Sequence, residues 1–238
     1  GVTFTCTEPA LAGDDNLAVR AVRGWQRVFG TMPGAAVTLT KRVPWGAGLG
    51  GGSSDAAAVL RCCAALTGVT ADEPRVLALA AELGSDVPFF LTGGCAWATG
   101  RGEILRPLPV HAGLGVVIVK PPYGVATKDA YAGLGGRLTR MALDYPAAAT
   151  LWAAGAYAQL CANDFTPGVA AAHPEMTAVV AQLAAAGALA AGMSGSGSAL
   201  FGLFPDPAAA QLAAAAVRVD GSVQVAATLA APAVSRGE

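Results

Sequence analysis

A glycine-rich segment separates a strand pattern from a helix pattern, and this order limits the chain to a small group of folds. Residues 44–57 read PWGAGLGGGSSDAA. Residues 36–43, before it, alternate apolar and polar side chains and end at a proline, which predicts a half-buried strand. After it, Ser53 or Ser54 can cap a helix that runs to about Leu66. The sequence therefore predicts a strand, a glycine loop and a helix in succession.

This loop is suited to binding a polyphosphate. Successive glycines let backbone N–H groups turn towards one anion, and a helix start adds unpaired donors with a partial positive charge. The segment is not a Walker motif, because no lysine precedes Ser53. It is not a clean dinucleotide fingerprint either, since the acidic residue about 20 positions on is Asp72, which reads as a helix cap. The alternative is a flexible loop with ordinary helix capping.

Two further helices are predicted, one on each side of this unit. Asp15 or Asn16 can cap the first, and the second starts near Asp72 and Glu73 and ends at Gly84. Apolar residues recur at spacings of three and four in both, which marks the faces turned to a core. The predicted inward residues are Leu17, Ala21, Trp25 and Val28 in the first helix and Val76, Leu77, Ala80 and Leu83 in the second.

The second half of the chain reads as a separate domain. Residues 2–6 open the first half as a strand, whereas residues 114–120 read as a new strand beyond Pro107. From there strands alternate with alanine-rich helices to the end of the sequence. We therefore expect a domain boundary near residue 110.

Composition excludes several functional classes. Lys plus Arg total 15 against 16 for Asp plus Glu among 238 residues, so we expect neither nucleic-acid nor membrane-surface binding. Hydrophobic residues make up 54% and charged residues 13%, enough to bury a core without disulfides. The five cysteines lack CxxC spacing and are interpreted as reduced thiols, and His111 and His173 as structural residues. We expect no membrane span, because glycines and serines at 192–198 interrupt the longest uncharged stretch. We expect no signal peptide and a cytoplasmic location.

Three motifs, taken in order along the chain, resemble a known family. The segment at residues 44–57 resembles the phosphate-binding motif of GHMP kinases, and its GLGGGSSDAA form resembles the branch acting on 4-diphosphocytidyl-2-C-methyl-D-erythritol. Residues 83–90 (LGSDVPFF), with GRGE at 100–103, are similar to the segment that carries the catalytic aspartate of that branch. Residues 191–198 (AGMSGSGS) match its C-terminal glycine motif.

The resemblance implies an α+β fold in two domains. Residues 1–110 would form an N-terminal ribosomal-S5-like α/β domain that binds ATP, and residues 111–238 a C-terminal ferredoxin-like α+β domain. The implied activity is ATP-dependent phosphorylation of the 2-hydroxyl of 4-diphosphocytidyl-2-C-methyl-D-erythritol, in non-mevalonate isoprenoid precursor biosynthesis. The alternatives are a GHMP kinase for another small alcohol, such as homoserine, mevalonate or a sugar, and a non-catalytic paralogue that only binds ATP. A monomer or a homodimer is expected.

The resemblance also implies the cofactor site. ATP phosphates would lie on the loop from Gly48 to Ser54, Mg²⁺ near Ser53 or Ser54, and the base beside Asn16 and Lys41. Phosphoryl transfer depends on positioning and charge neutralisation, so backbone donors, a cation and a metal-binding hydroxyl are the parts expected. The implied cofactor-binding residues are Asn16, Lys41, Pro44, Gly46, Gly48, Leu49, Gly50, Gly51, Gly52, Ser53 and Ser54.

The catalytic residue implied by the resemblance is Asp86, which would contact the substrate and accept or orient its hydroxyl proton. The alternative for Asp86 is an N-cap or turn residue, which is common for an aspartate after Gly-Ser. Thr127 and Tyr131 would contact the cytidine end, although an aromatic residue at helical spacing is more often part of a core. The C-terminal motif would close over the substrate phosphates through Gly192, Ser194, Gly195, Ser196 and Gly197.

One departure from the family concerns its opening strand. That strand carries a PAKxN motif, whose lysine works beside the aspartate, and a GYH segment that holds cytosine follows; the sequence contains neither motif. Its lysines are Lys41, Lys120 and Lys128, none of them in that context. We expect the corresponding segment to lie upstream of this sequence, and a degenerate copy is the alternative.

Overall fold

A computed structural model describes residues 1–32, 34–134 and 143–230. The chain divides into two compact units. Among the described residues, unit 1 contains residues 1–43 and 50–107, and unit 2 contains residues 44–49 and 108–230. The predicted alternation of strands and helices in the second half also covers residues 135–142 and 231–238, which lie outside the described residues.

Unit 1 combines two pairs of strands with four helices. In chain order its elements are β1 (Val2–Cys6), α1 (Leu17–Phe29), β2 (Ala35–Leu39), α2 (Gly51–Thr67), α3 (Pro74–Leu83), α4 (Val87–Thr92), β3 (Cys95–Thr99) and β4 (Ile104–Leu108). β1 pairs with β2 in parallel, with Val2 opposite Ala35, and β3 pairs with β4. The helices enclose an apolar core that contains Trp25, Leu60 and Leu79.

Helix α1 follows the predicted pattern. The Asn16 side chain accepts a hydrogen bond from Ala18 N at 2.9 Å and so caps the helix, and Gly30 ends it in a left-handed conformation at φ +66°. Ala21 and Trp25 are fully buried, while Leu17 and Val28 pack against the same core. The predicted inward stripe of this helix is confirmed.

Three predictions about unit 1 are wrong in detail. β2 ends at Leu39 rather than at residue 43, because β1 ends opposite it and the Lys41 amide turns to the Thr7 hydroxyl at 2.9 Å. α2 begins at Gly51, capped by Gly50 at φ +67°, rather than after a serine cap. In α3, Leu77 is 38% exposed and Leu79 is the buried residue in its place.

Unit 2 is built on a four-stranded antiparallel sheet with strand order β6-β7-β5-β8. Its elements are β5 (Gly115–Lys120), α5 (Thr127–Gly133), α6 (Tyr145–Ala153), α7 (Thr166–Ala172), α8 (Glu175–Ala185), β6 (Ala190–Met193), β7 (Leu200–Phe204), α9 (Pro207–Ala216) and β8 (Ser222–Ala227). β5 lies between β7 and β8 and buries Val117 and Val119, which share a core with Leu183 of α8 and Ala213 of α9.

None of the helices within residues 1–32, 34–134 and 143–230 combines the length and the apolar character needed to cross a bilayer.

Candidate active site

The glycine loop is divided between the two units. Residues 44–49 group with unit 2, and the chain enters unit 1 at Gly50, which caps α2. Gly46, Gly48 and Gly50 all have positive φ, at +62°, +71° and +67°. Side chains with a Cβ rarely adopt this conformation, so the backbone itself requires glycine at these three positions. Predicted site residues Pro44 and Leu49 are half-buried in the same loop.

Within unit 2, the first part of this loop packs directly against the C-terminal glycine motif. The Ser194 hydroxyl donates to Gly48 O at 2.9 Å, and Ala199 N donates to Ala47 O at 3.0 Å. A Cβ placed on Gly48 would lie 2.1 Å from Ser194 O, and one on Gly195 would lie 2.9 Å from Gly48 O. The structure therefore brings together two predicted motifs that are 146 residues apart in sequence.

Within unit 1, the start of α2 offers unused backbone donors. The first internal bond of this helix is Ser54 N to Gly50 O at 2.9 Å, so the amides of Gly51, Gly52 and Ser53 precede the helical ladder. Such amides, together with the positive end of the helix dipole, suit a phosphate. The geometry fits the predicted role of these residues in binding ATP.

The two serines of this turn differ in their contacts. The Ser54 hydroxyl donates to Gly51 O at 2.8 Å, which leaves its oxygen lone pairs available. The Ser53 hydroxyl makes no hydrogen bond to any part of the chain that the structure describes. Hydroxyl oxygens are hard ligands of the kind that Mg²⁺ accepts beside nucleotide phosphates. Both side chains therefore fit the predicted metal-binding role.

Lys41 lies at the same helix start. Its Nζ is 2.5 Å from Asp55 Oδ2, and it would lie 3.0 Å from a Cβ on Gly51. The side chain of Lys41 is only 6% exposed, and that of Asp55 is 21% exposed. The structure thus places the Lys41 ammonium against the glycine loop.

Asp86 lies in an exposed turn at the N-terminus of α4. It occupies the N-cap position, but its side chain makes no capping hydrogen bond. Its Oδ1 would be 3.6 Å from a Cβ on Gly102, so the GRGE segment borders the carboxylate as the motif order suggests. The turn adjoins the helix start that follows the glycine loop, because a Cβ on Gly84 would lie 3.9 Å from Ser53 Oγ. An exposed carboxylate without a capping partner is free to act on a substrate.

Asn16 is occupied by the structure around it. Besides capping α1, its side-chain amide donates to Leu11 O at 2.9 Å. Its role beside the base stays a prediction.

The residues predicted at the substrate lie in unit 2. Thr127 Oγ1 shares a hydrogen bond with Ser196 Oγ at 3.2 Å, which joins the start of α5 to the C-terminal glycine motif. Tyr131, four residues further along α5, is 61% exposed and meets the Phe165 ring edge-on at 4.9 Å between centroids. Its exposure argues against the alternative that Tyr131 is an ordinary core residue. In the C-terminal glycine motif, Gly192 lies on β6.

Comparison with known proteins agrees with this arrangement. Residues 16–94 match the GHMP kinases N terminal domain, and residues 150–221 match the GHMP kinases C terminal domain. The 4-diphosphocytidyl-2-C-methyl-D-erythritol kinase of Anaeromyxobacter dehalogenans is 44% identical over 218 residues, which cover 88% of this chain and 67% of that protein. This chain belongs to the 4-diphosphocytidyl-2-C-methyl-D-erythritol kinase family of GHMP kinases.

Two further relatives support the family assignment. The kinase of the same name from Solibacter usitatus is 44% identical over 81% of this chain and 63% of its own length. The chain thus spans about two thirds of the length of these two relatives. A crystal structure of 4-(cytidine 5'-diphospho)-2C-methyl-D-erythritol kinase superposes with a TM-score of 0.78 at 37% identity, covering 95% of this chain and 81% of that chain. The predicted two-domain α+β GHMP kinase fold is confirmed.

Both histidines of this GHMP kinase have structural contacts. His111 Nδ1 lies 2.6 Å from the Tyr157 hydroxyl, and its ring stacks on Trp152 at 4.9 Å. His173 stacks on Tyr123 at 3.6 Å. Burial, followed by the nearby Glu175 charge, raises the pKa of Tyr123.

No group of three or more metal-binding side chains occurs in the described part of the chain.

Sequence reasoning missed two residues that organise the glycine motifs of this family member. Asp55 was passed over, although it stands within the quoted GGGSSDAA segment and pairs with Lys41. Asn163 lies outside every quoted motif, yet its Nδ2 donates to Met193 O at 2.9 Å and to Gly195 O at 2.8 Å. Asn163 therefore braces the C-terminal motif from a distant segment. In the sequence, only its place just ahead of the start of α7 at Thr166 distinguishes Asn163.

Proposed function

We propose that this protein transfers the γ-phosphoryl group of ATP to the 2-hydroxyl of 4-diphosphocytidyl-2-C-methyl-D-erythritol. One observation carries the chemical part of this proposal. Within unit 1, the side chain of Asp86 is exposed and makes no capping hydrogen bond. The turn that carries it borders Ser53, where the first amides of α2 have no partner in the helix. A phosphate site and a carboxylate that can receive a proton are therefore neighbours. The choice of substrate is supported by 44% identity to relatives of that name.

The residues of unit 1 divide the work of the transfer. The first-turn amides of α2 bind and orient the polyphosphate, and they stabilise charge that develops on the transferred group. The Ser53 and Ser54 hydroxyls would hold Mg²⁺, which supplies neutralisation of the β- and γ-phosphate charge when bound. Asp86 accepts or orients the proton of the attacking hydroxyl as the bond to phosphorus forms.

Within unit 2, a second set of residues is suited to the cytidine diphosphate part of the substrate. The exposed ring of Tyr131 offers a stacking face for a cytosine base, and such stacking contributes about 1–3 kcal/mol per base. Gly192, Ser194, Gly195, Ser196 and Gly197 supply a chain of small residues beside the diphosphate. The amides of Ser194 and Gly197 donate to Ala199 O and Ser194 O at 2.9 Å, so those of Gly195 and Ser196 are the ones suited to its oxygens. Thr127 is held to this motif by its bond to Ser196. The cytoplasmic location and the monomeric or homodimeric state stay predictions, and light scattering on the purified protein tests the latter.

Replacement of Asp86 by Asn tests the proposal. In the protein as its gene encodes it, Asp86→Asn should lower kcat by about 10²–10⁴-fold, the usual loss for a general acid–base group, with the ATP dissociation constant little changed. ADP release with 4-diphosphocytidyl-2-C-methyl-D-erythritol measures the first, and calorimetry the second. Homoserine and mevalonate, as acceptors, test the substrate assignment.

A matched control is Asp206→Asn, which changes another N-cap aspartate in the same way. Asp206 accepts a hydrogen bond from Ala209 N at 2.8 Å, and asparagine caps helices equally well. This variant should keep full activity. Near-normal turnover in Asp86→Asn would return Asp86 to a role as a turn residue.

A further inference from the structure

We propose that Asp55 is a positioning residue that fixes the Lys41 ammonium at the phosphate end of the bound nucleotide, and not beside its base. This inference rests on the ATP binding proposed above and assigns Lys41 to a different part of the ligand from the one that the family resemblance implies. Asp55 acts only through Lys41. It touches neither the nucleotide nor the acceptor.

The position of Lys41 is fixed at both of its ends. Its backbone amide donates to Thr7 Oγ1 at 2.9 Å, just beyond the last pair of the β1–β2 ladder. Its ammonium donates to Asp55 Oδ2 at 2.5 Å, and 94% of the side chain is removed from solvent, since 6% is exposed. A lysine held in this way has little freedom to swing out towards a base. The end of β2 and the first turns of α2 are thus tied together.

The ammonium is placed where an anion would bind. A Cβ on Gly51, the first residue of α2, would lie 3.0 Å from Lys41 Nζ. The amides of Gly51, Gly52 and Ser53 precede the first internal bond of the helix, which Ser54 N makes to Gly50 O. A phosphate accepting these amides would therefore have a positive charge within the same turn.

The order of the two charges favours an anion at the helix start. Asp55 stands four residues after Gly51, which is about 6 Å further along the axis of α2. Its carboxylate reaches back towards the first turn, because side chains on a helix lean towards its N-terminus. The ammonium thus lies at the outer end of the pair and the carboxylate at the inner end. The pair is neutral, yet its dipole adds to that of the helix.

A purely structural role explains this pair poorly. Removing two charges from water costs several kcal/mol per ion, and well-packed apolar residues of similar volume are often as stabilising as a buried pair. A charged pair at a phosphate loop has a use that an apolar pair lacks, because only the charged pair attracts an anion. The Arg27–Glu82 pair of unit 1 provides the contrast, since both of its side chains are more than half exposed.

Three variants and two partial ligands test the inference. The variants are Lys41→Met, Asp55→Asn and the double variant that carries both changes. The ligands are inorganic tripolyphosphate and adenosine, whose binding is measured by calorimetry on the protein as its gene encodes it. Lys41→Met should weaken tripolyphosphate binding about tenfold, the size expected for one charge-assisted contact, and leave adenosine binding unchanged. Asp55→Asn should also weaken tripolyphosphate binding.

The double variant separates positioning from stability. Each single variant leaves one charge buried without its partner and should lower the melting temperature, whereas the double variant should recover much of that loss. Tripolyphosphate binding should stay as weak in the double variant as in Lys41→Met alone, because Asp55 acts only through Lys41. Asp55→Glu, which keeps a carboxylate, should restore part of the binding lost in Asp55→Asn. Glu82→Gln is the control and should change the binding of neither tripolyphosphate nor adenosine.

Several results would overturn the inference. If the double variant recovered tripolyphosphate binding together with stability, the pair would be structural. If Lys41→Met weakened adenosine binding and spared tripolyphosphate, the ammonium would serve the base. If the unaltered protein bound no tripolyphosphate, the phosphate assignment itself would fail. None of these measurements uses the alcohol substrate, so a failure of the proposed kinase reaction would be seen separately in the ADP-release assay.

Discussion

Replacement of Gly48 by alanine should separate the two glycine motifs that meet in unit 2. Gly48 has φ +71°, and a Cβ there would lie 2.1 Å from Ser194 O, 2.9 Å from Gly197 N and 3.1 Å from Gly197 O. All three atoms belong to the backbone, so no side chain can rotate away to make room. The C-terminal motif must therefore move as a segment, or Gly48 must change its conformation.

The size of this effect follows from two terms. A left-handed conformation costs a residue with a Cβ about 1–2 kcal/mol, and overpacking adds about 1–3 kcal/mol, so Gly48→Ala should lose roughly 2–5 kcal/mol of unfolding free energy. The 2.1 Å contact has to open by more than about 1 Å to reach an ordinary van der Waals distance. Displacements of about 1 Å near a reacting group can lower rates by roughly 10²-fold, so kcat/KM should fall by about that factor.

Gly113→Ala provides the matched control for this experiment. Gly113 also lies in unit 2, has φ +80°, and has open space around a Cβ. It should therefore lose only the conformational term of about 1–2 kcal/mol and keep its kinase activity. Urea unfolding of both variants gives the free energies, and ADP release gives kcat/KM. If Gly48→Ala were destabilised no more than Gly113→Ala, the close backbone approach would have no energetic weight and the reasoning would be refuted.

Three other predictions concern unit 1 and its ligand. Gly52→Ala should keep or raise the melting temperature, because among the described residues its Cβ meets only Leu17, at 3.5 Å, and alanine favours a helix. It should weaken ATP binding, since that Cβ leans towards the N-terminal end of α2, where the phosphates are proposed to bind. Gly168→Ala in α7 should leave ATP binding unchanged. Ser53→Ala should raise the Mg²⁺ concentration needed for half-maximal activity, measured by titrating Mg²⁺ at fixed ATP. Burial, and then the nearby Cys62, raises the pKa of the Cys63 thiol from 9.0 to about 11. The unfolded chain therefore loses this proton at lower pH than the folded protein, so the contribution of Cys63 to the free energy of unfolding should be full below pH 9 and lost towards pH 11. Urea unfolding as a function of pH would show this.

Local chemistry made the start of α1 and the end of α2 predictable, because one residue decides each of them. Asn16 caps α1 through its own side chain, and Gly68 ends α2 at φ +69°. Each of these effects involves a residue and its neighbours within one turn. No distant contact is needed, so a single sequence suffices.

The start of α2 shows where the capping rule fails. Serine is a preferred N-cap, which pointed to Ser53 or Ser54, but Gly50 takes that position at φ +67° and the helix continues through Gly51 and Gly52. Glycine disfavours a helix interior by only about 1 kcal/mol, and a Cβ on Gly50 would strike the Phe90 ring at 2.7 Å. Tertiary packing at that point therefore outweighs propensity. The rule assumes an isolated helix, whereas the Phe90 ring lies against the N-cap residue of this one.

The spacing within α3 favours Leu79 over Leu77 as the inward residue. Val76, Leu79, Ala80 and Leu83 follow the i, i+3, i+4, i+7 spacing of one helix face, whereas Leu77 lies one residue, about 100°, from Val76. Leu79 is 2% exposed because it packs over Gly24 of α1, where a Cβ would lie 2.6 Å from Leu79 Cδ1. The contact with Gly24 therefore agrees with the helical period. Choosing Leu77 departed from that period, so this error was avoidable from the sequence alone.

The glycine motifs set the limit of prediction for the candidate site. A motif search finds residues 44–57 and 191–198 because their composition is unusual, but it cannot say what each glycine is for. Gly48 allows a backbone to approach and Gly50 makes room for a ring, whereas Gly52 has no close neighbour other than Leu17 in the part of the chain that the structure describes. The sequence shows glycine in all three cases, because glycine has no side-chain charge or hydrophobicity that would distinguish the three roles. Only the partner on the far side of each gap tells them apart, so variants matched for φ but not for contact are the experiments that can assign them.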